Sequence, residues 1–267
     1  MSYQVASWVL DIAKLFVGPL AGAFAGAMTA QGIAKRNART QRQLEELRAT
    51  NTAVSAARAT VATAAALKHQ HVLAMKQAYE KLSADRIVAL NGGKGRFHYS
   101  ADLQTLPPFR TAVPLLEKLL YERISPHSGV LGLFGIVVQS VGGICDAIES
   151  RNSIIGSIKG GSAINEREFA DIYFGLENKD GHTDRSFPDS LDALVHNLDC
   201  TILYGCVLAQ ELANHAKMLA GKNKEFPQAE VAKFGALSKA GLIPQMGPDD
   251  LDAFKALDIV PEISTTD

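Results

Sequence analysis

At 267 residues with 47% hydrophobic content, the chain is long enough to bury a sizeable core. Its formal net charge of -1 excludes a bulk attraction to nucleic acid. The three cysteines, Cys145, Cys200 and Cys206, form no C-x-x-C pair and argue against a disulfide framework or a zinc knuckle.

Aromatic content is 7%, Ala and Leu are abundant and β-branched alternation is scarce, which points to an all-α fold. Leu15 to Ala30 carries no charge, and the run continues to Ala34 with only Gln31 interrupting it. As a helix at ~1.5 Å per residue, such a run covers roughly the 30 Å core of a bilayer. Trp8 and Lys14 stand where interfacial anchors are expected. Behind the run come Lys35, Arg36, Arg39 and Arg42, with no acid before Glu45. These four are read as lipid-headgroup contacts, and they place the N-terminus outside and the C-terminal part in the cytoplasm of a cell inner membrane. A cleaved signal peptide would need its positive charges before the apolar run. Gly18, Gly22 and Gly26 recur every four residues and offer one bare face for helix–helix packing in the membrane.

From Gln31 to Leu90 the chain has no proline, one glycine and much alanine, so a long connector helix is expected over 35–91. Ten Lys/Arg face four Asp/Glu between Gln31 and Arg86. Leu47, Val54 and Val61 are spaced by seven and form a narrow stripe that suits a coiled-coil-like seam. Its partner is either another copy in a homo-oligomer or the rest of the same chain. His69 and His71, two apart on a helix, lie on opposite faces and are not co-ligands.

The glycines of Asn91 to Arg96 end that helix; their spacing is not that of a phosphate loop. Residues 97–267 then read as a helical cytoplasmic domain. A short helix is expected over LLEKLLYERI. Ser128 to Cys145 is a second uncharged stretch, favoured as a buried helix continuing through Ile158, with a span or re-entrant segment as the alternative. Loops surround a short helix near Glu166 to Glu177. A long helix runs from Asp189 to Ala220, capped by Asp189 and apolar on every side at TILYGCVLA. Two further helices are expected over Phe226 to Lys239 and Asp249 to Leu257.

Asp192, His196 and Cys200 recur every four residues on the long helix, with Asp199 beside them and Glu211 and His215 again four apart. Asp192, His196 and Asp199 are the candidates for contact with a ligand or partner. One helix face comfortably supplies two ligands at most, so neither a metal site nor a catalytic set follows, and no cofactor motif is present. The plan looks like that of many small bacterial membrane-tethered proteins, including membrane effectors of phage-defence systems, in layout alone. The expected function is non-enzymatic: an oligomeric, single-pass membrane protein, 1–34 its anchor, whose body binds an unidentified protein or small molecule. The alternative is a ligand-gated pore, an ion channel of the kind used in antiviral defence.

Overall fold

The proline-poor, alanine-rich first third of the chain forms a single rod. In a computed structural model, which describes residues 2–92, 97–160, 166–178, 180–221, 223 and 225–261, helix α1 runs from Ser2 to Leu67. A π-helical turn, Lys68–Val72, joins it without a break to α2, Leu73–Asn91. Side chains are described from Gly26 onward, Glu166 excepted. The side chains of the predicted anchor up to Ala25, with the packing face of Gly18 and Gly22, and all of Gly93 to Arg96 therefore lie outside what is described.

The other helices are α3 (Val113–Glu122), α4 (Ser128–Gly160), α5 (Glu166–Phe174), α6 (Ser186–Ala220), α7 (Gly235–Lys239) and α8 (Pro248–Ala256). The protein is all-helical; the one β feature among the described residues is a bridge between Glu177 and Thr183. The helix expected from Asp189 starts earlier, at Ser186. Arg185 takes the N-cap position without a side-chain cap bond, and Asp184 before it accepts hydrogen bonds from the Ser186 backbone N–H at 2.9 Å and hydroxyl at 2.5 Å. Pro188 then lies in the first turn, where its missing N–H costs nothing. Only the end of the helix expected over Phe226 to Lys239 forms; the residues before Gly235 run irregularly across α1.

Helix α6 lies between α1 and α4 and packs along both. Ile202, Leu203, Cys206, Val207, Leu208 and Leu212 bury every side of its middle. Leu47, Val54 and Val61 are fully buried in this intramolecular core, so the seam has its partner within the chain. The helices approach at glycines. A Cβ on Gly205 of α6 would stand 2.6 Å from Val61 Cγ2 of α1, and one on Gly143 of α4 would stand 2.5 Å from Asn197 Oδ1 of α6. Gly129 of α4 lies directly against the backbone carbonyl of Leu257.

Long irregular segments are fixed to these helices by side chains that act as substitute strands. Asn152 of α4 accepts from Leu106 N–H at 2.9 Å and donates to Leu106 O at 2.8 Å. Asn51 of α1 donates to Gln228 O and accepts from Glu230 N–H, both at 2.9 Å. Arg151, 2% exposed, donates to Gln104 O at 2.7 Å and Asp102 O at 3.3 Å, and its guanidinium lies over the Phe187 ring. Burial holds this guanidinium below the usual arginine range. Beside it Tyr79, Tyr99, Phe169, Tyr173, Phe174 and Phe187 build a second, aromatic core, in which burial pushes the Tyr173 hydroxyl up to about 12.

Among the described residues two helices, α4 and α6, are long and apolar enough to cross a membrane. In α6 61% of the most apolar stretch is buried inside the protein, against 39% in α4. The former is the core helix of the body, and the latter keeps an outward face.

The glycine contacts predict a graded response. Gly129→Ala meets a backbone atom, and Gly205→Ala meets a valine whose χ1 is fixed in a helix, so each should lower the melting temperature by overpacking worth about 1–3 kcal/mol. Gly142→Ala has open space and should stabilise by up to ~1 kcal/mol through helix propensity. Circular-dichroism melts of the three variants check the order; a melt in which Gly129→Ala matches Gly142→Ala would contradict the packing described.

Candidate functional site

The polar residues picked out on α6 do not converge on one point. Asp192 accepts a short hydrogen bond from Lys76 of α2, and that carboxylate holds the Lys76 ammonium above its usual range. Asp199 forms an ion pair with Lys68 at 2.5 Å. His196 is exposed, with Nε2 3.6 Å from the Cys200 thiol. Burial, followed by the nearby Asp250 and Asp199 carboxylates, pushes that thiol up. A nucleophilic cysteine needs the opposite shift, because the thiolate is the reactive form. The geometry therefore gives Asp192 and Asp199 the task of clamping α6 to the first rod.

Lys68 is the residue that the sequence reading passed over. It continues the seven-residue spacing of Leu47, Val54 and Val61 towards Met75, so a charge occupies a core position. It is 8% exposed, and besides Asp199 it donates to Leu242 O at 3.4 Å. It opens the π turn, a distortion found often where a helix carries a functional or strained residue.

The root of the rod is the second polar region. Residues 26–42 of α1 are exposed throughout, and there a Cβ on Gly26 would meet nothing within 4 Å. Lys35, Arg39 and Arg42 lie at i, i+4 and i+7, hence on one face, with Arg36 at its edge. Docking begins at Gln43, which donates to Leu219 O at the C-terminal end of α6 at 2.6 Å. One turn on, Glu46 Oε1 accepts from Ser125 N–H at 2.8 Å and stands 3.3 Å from Nε2 of the buried His215. His127 and Glu211 form a neighbouring pair at 3.4 Å. Between α1, α3 and the turn before α4 lies an open groove of about 530 Å³, into which Arg42, Arg48 and Arg123 project. Arg48 and Arg123 carry no motif, and only the packing of α3 on α1 brings them together.

A groove of the same volume beside α4 is lined by Pro108, Phe109, Ile148 and Cys145. Cys145 is exposed, Cys200 half-buried and Cys206 buried, its thiol pushed up to about 12 by burial. Burial and Asp146 also raise the Cys145 thiol.

Raised thiols are neutral over a wider pH range, so alkylation of all three should be slow at pH 7 and keep accelerating above the ordinary thiol range. Mass spectrometry of iodoacetamide-treated protein should find Cys145 modified first and Cys206 only after unfolding. Cys200 reacting as fast as Cys145 at neutral pH would restore a nucleophilic role. For this pair, in which Lys68 is buried and Asp199 half-buried, Asp199→Asn strands an ammonium and should cost about 1–2 kcal/mol after solvent screening, whereas Lys68→Met combined with Asp199→Leu should recover most of it. Denaturant midpoints of the single and double variants measure the coupling, and additive losses would show that the two residues do not interact.

No known protein family, no curated protein and no solved structure matches the chain.

Proposed function

We propose that the chain is a membrane-tethered, non-enzymatic binding module: α1 anchors it at one end, and the body at the other end takes a soluble ligand or a partner protein. The observation that carries this reading is the form of α1. From Gly26 to Arg42 its side chains are exposed throughout, about 25 Å of helix at ~1.5 Å per residue before Gln43 docks on the body. That exposed length takes up the end of the uncharged run from Leu15 and closes on the basic face of Lys35, Arg36, Arg39 and Arg42. A bare helix of that length in water gains no packing, whereas in a bilayer its apolar part is solvated and its cations meet anionic headgroups. The positive-inside bias supports a cytoplasmic body, and one pass through an inner membrane completes the proposal. Gly18, Gly22 and Gly26 favour self-association of the anchors.

A pore is the second reading, and the outward face of α4 favours it. Leu131, Gly135, Val138 and Gly142 follow one another at spacings of three and four, and the last three are exposed. Such a face can pack on a second apolar helix in an assembled channel.

The tether reading predicts that the full chain sediments with membranes and resists an alkaline carbonate wash, while charges placed in the run, Ala21→Glu with Ala25→Lys, release it. Reversing Lys35, Arg36, Arg39 and Arg42 to Glu removes attraction of about 1 kcal/mol per residue and should disturb orientation. The exposed Cys145 is a built-in topology probe: an impermeant maleimide on intact cells should leave it unlabelled. Labelling from outside sinks the orientation, a soluble wild type sinks the tether, and ion flux on expression moves the pore reading ahead.

A further inference from the structure

The groove at the root of the rod holds three arginines, Arg42, Arg48 and Arg123, and three glutamates, Glu45, Glu46 and Glu122. The acids are unequally engaged. Glu45 accepts from the Gln41 side chain at 3.0 Å, and Glu46 is taken by Ser125 N–H and His215. Glu122 is exposed with no side-chain partner, and none of the three guanidiniums makes a hydrogen bond or ion pair among the described residues. Guanidinium forks match phosphate oxygens with paired donors, which makes a phosphate the ligand that arginines so placed would recognise. The formal charges of the groove nevertheless cancel, so a bare anion gains little from its net field. A ligand carrying both signs answers both halves.

We propose that this groove binds a soluble zwitterionic phosphate ester, with its phosphate on Arg42, Arg48 and Arg123 and its ammonium on Glu122. A soluble source follows from the position of the site. Arg42 lies about 10 Å and Arg48 about 20 Å along the helix from Lys35, whereas the headgroup layer outside the hydrocarbon core is roughly 5–7 Å thick. A lipid headgroup held in the bilayer of an upright anchor reaches Arg42 at most and falls short of Arg48 and Arg123. The proposal rests on the body being a binding module and gives that module a ligand class.

The test is calorimetry on the full chain in maltoside detergent, titrated with phosphoethanolamine, inorganic phosphate and ethanolamine. Phosphoethanolamine should bind at least tenfold more tightly than either fragment. Arg48→Gln with Arg123→Gln should weaken it tenfold or more, and Glu122→Gln should abolish its advantage over inorganic phosphate. All three positions are exposed, so unchanged circular-dichroism melts will separate lost binding from lost folding. No saturable binding, or binding indifferent to the arginine pair, overturns the site. Equal affinity for phosphate and phosphoethanolamine overturns the zwitterion. Binding seen only in nanodiscs of phosphatidylethanolamine, and not with the soluble ester, overturns the soluble source. A chain that fractionates with membranes yet binds none of these probes loses the groove and keeps the tether.

Discussion

A helix as apolar all round as α6 is kept from water only by neighbours on both flanks, and the neighbours must come close enough to leave no void. Gly205 lets α1 in on one side and Gly143 lets α4 in on the other. Between α4 and α6 the polar contact is self-contained: Thr201 donates to Ser140 at 3.0 Å, and Ser140 donates back into its own helix. Once α6 is sandwiched in this way, the heptad positions of α1 face inward and the rod becomes a wall of the core. The remaining helices close the open edges, α8 through Phe254 against Tyr204 and α3 through Leu116 and Leu120.

Three long helices leave gaps that irregular chain must cover, and each buried backbone group there needs a partner. The segment before α3 and the segment before α7 solve this in the same way, through one asparagine that offers both a donor and an acceptor, as a strand would. Arg151 extends the device by giving two donors to the carbonyls of Asp102 and Gln104, two residues apart. Its charge is offset by carbonyl dipoles and the Phe187 ring, an arrangement that ties the aromatic satellite to the main core.

Which parts of this were legible in the sequence follows from the range of the forces involved. The helices and their breaks depend on local residues, so the helical rod to Asn91 and the long α4 could be read directly, while α3 starts two residues before the expected Leu115 because Pro114 lies in its first turn rather than in the loop. The start of α6 was misplaced because Pro188 reads as a boundary, whereas it lies in the first turn of a helix that begins at Ser186, bonded to Asp184. The segment from Phe226 has helical composition but is claimed by Asn51, a residue 177 positions away from Gln228. The polar residues of α6 shared a face as expected, yet their partners lie on Lys68 and Lys76, and pairing across helices is invisible in one sequence. Lys68 itself had a readable signal, a charge at a core position of a seven-residue repeat. The groove had none, since Arg48 and Arg123 are 75 residues apart and meet only through the packing of α3 on α1.

On the proposed tether reading, one secondary structure joins two environments. From Gln43 onward its hydrogen bonds are supported by packing, so the nucleation cost of the helix is met inside the body and the exposed length only propagates. Propagation through 26–42 is helped by alanines and by the Gln41–Glu45 bond, and it is hindered by Gly26 and Gly32, each worth about 1 kcal/mol against helix in water. A helix carried so far beyond its last contact is stable in proportion to what surrounds it. In water, glycine makes that length prone to fray; in hydrocarbon the backbone has no other acceptor, and the same glycines cost little while permitting close approach. The sequence thus changes design at the point where the rod leaves the body: small residues and cations on the free side, heptad-spaced aliphatics on the docked side. Gln43, which ties α1 to the last carbonyls of α6, marks that boundary, and it places the groove of Arg42, Arg48 and Arg123 on the body side of the basic face.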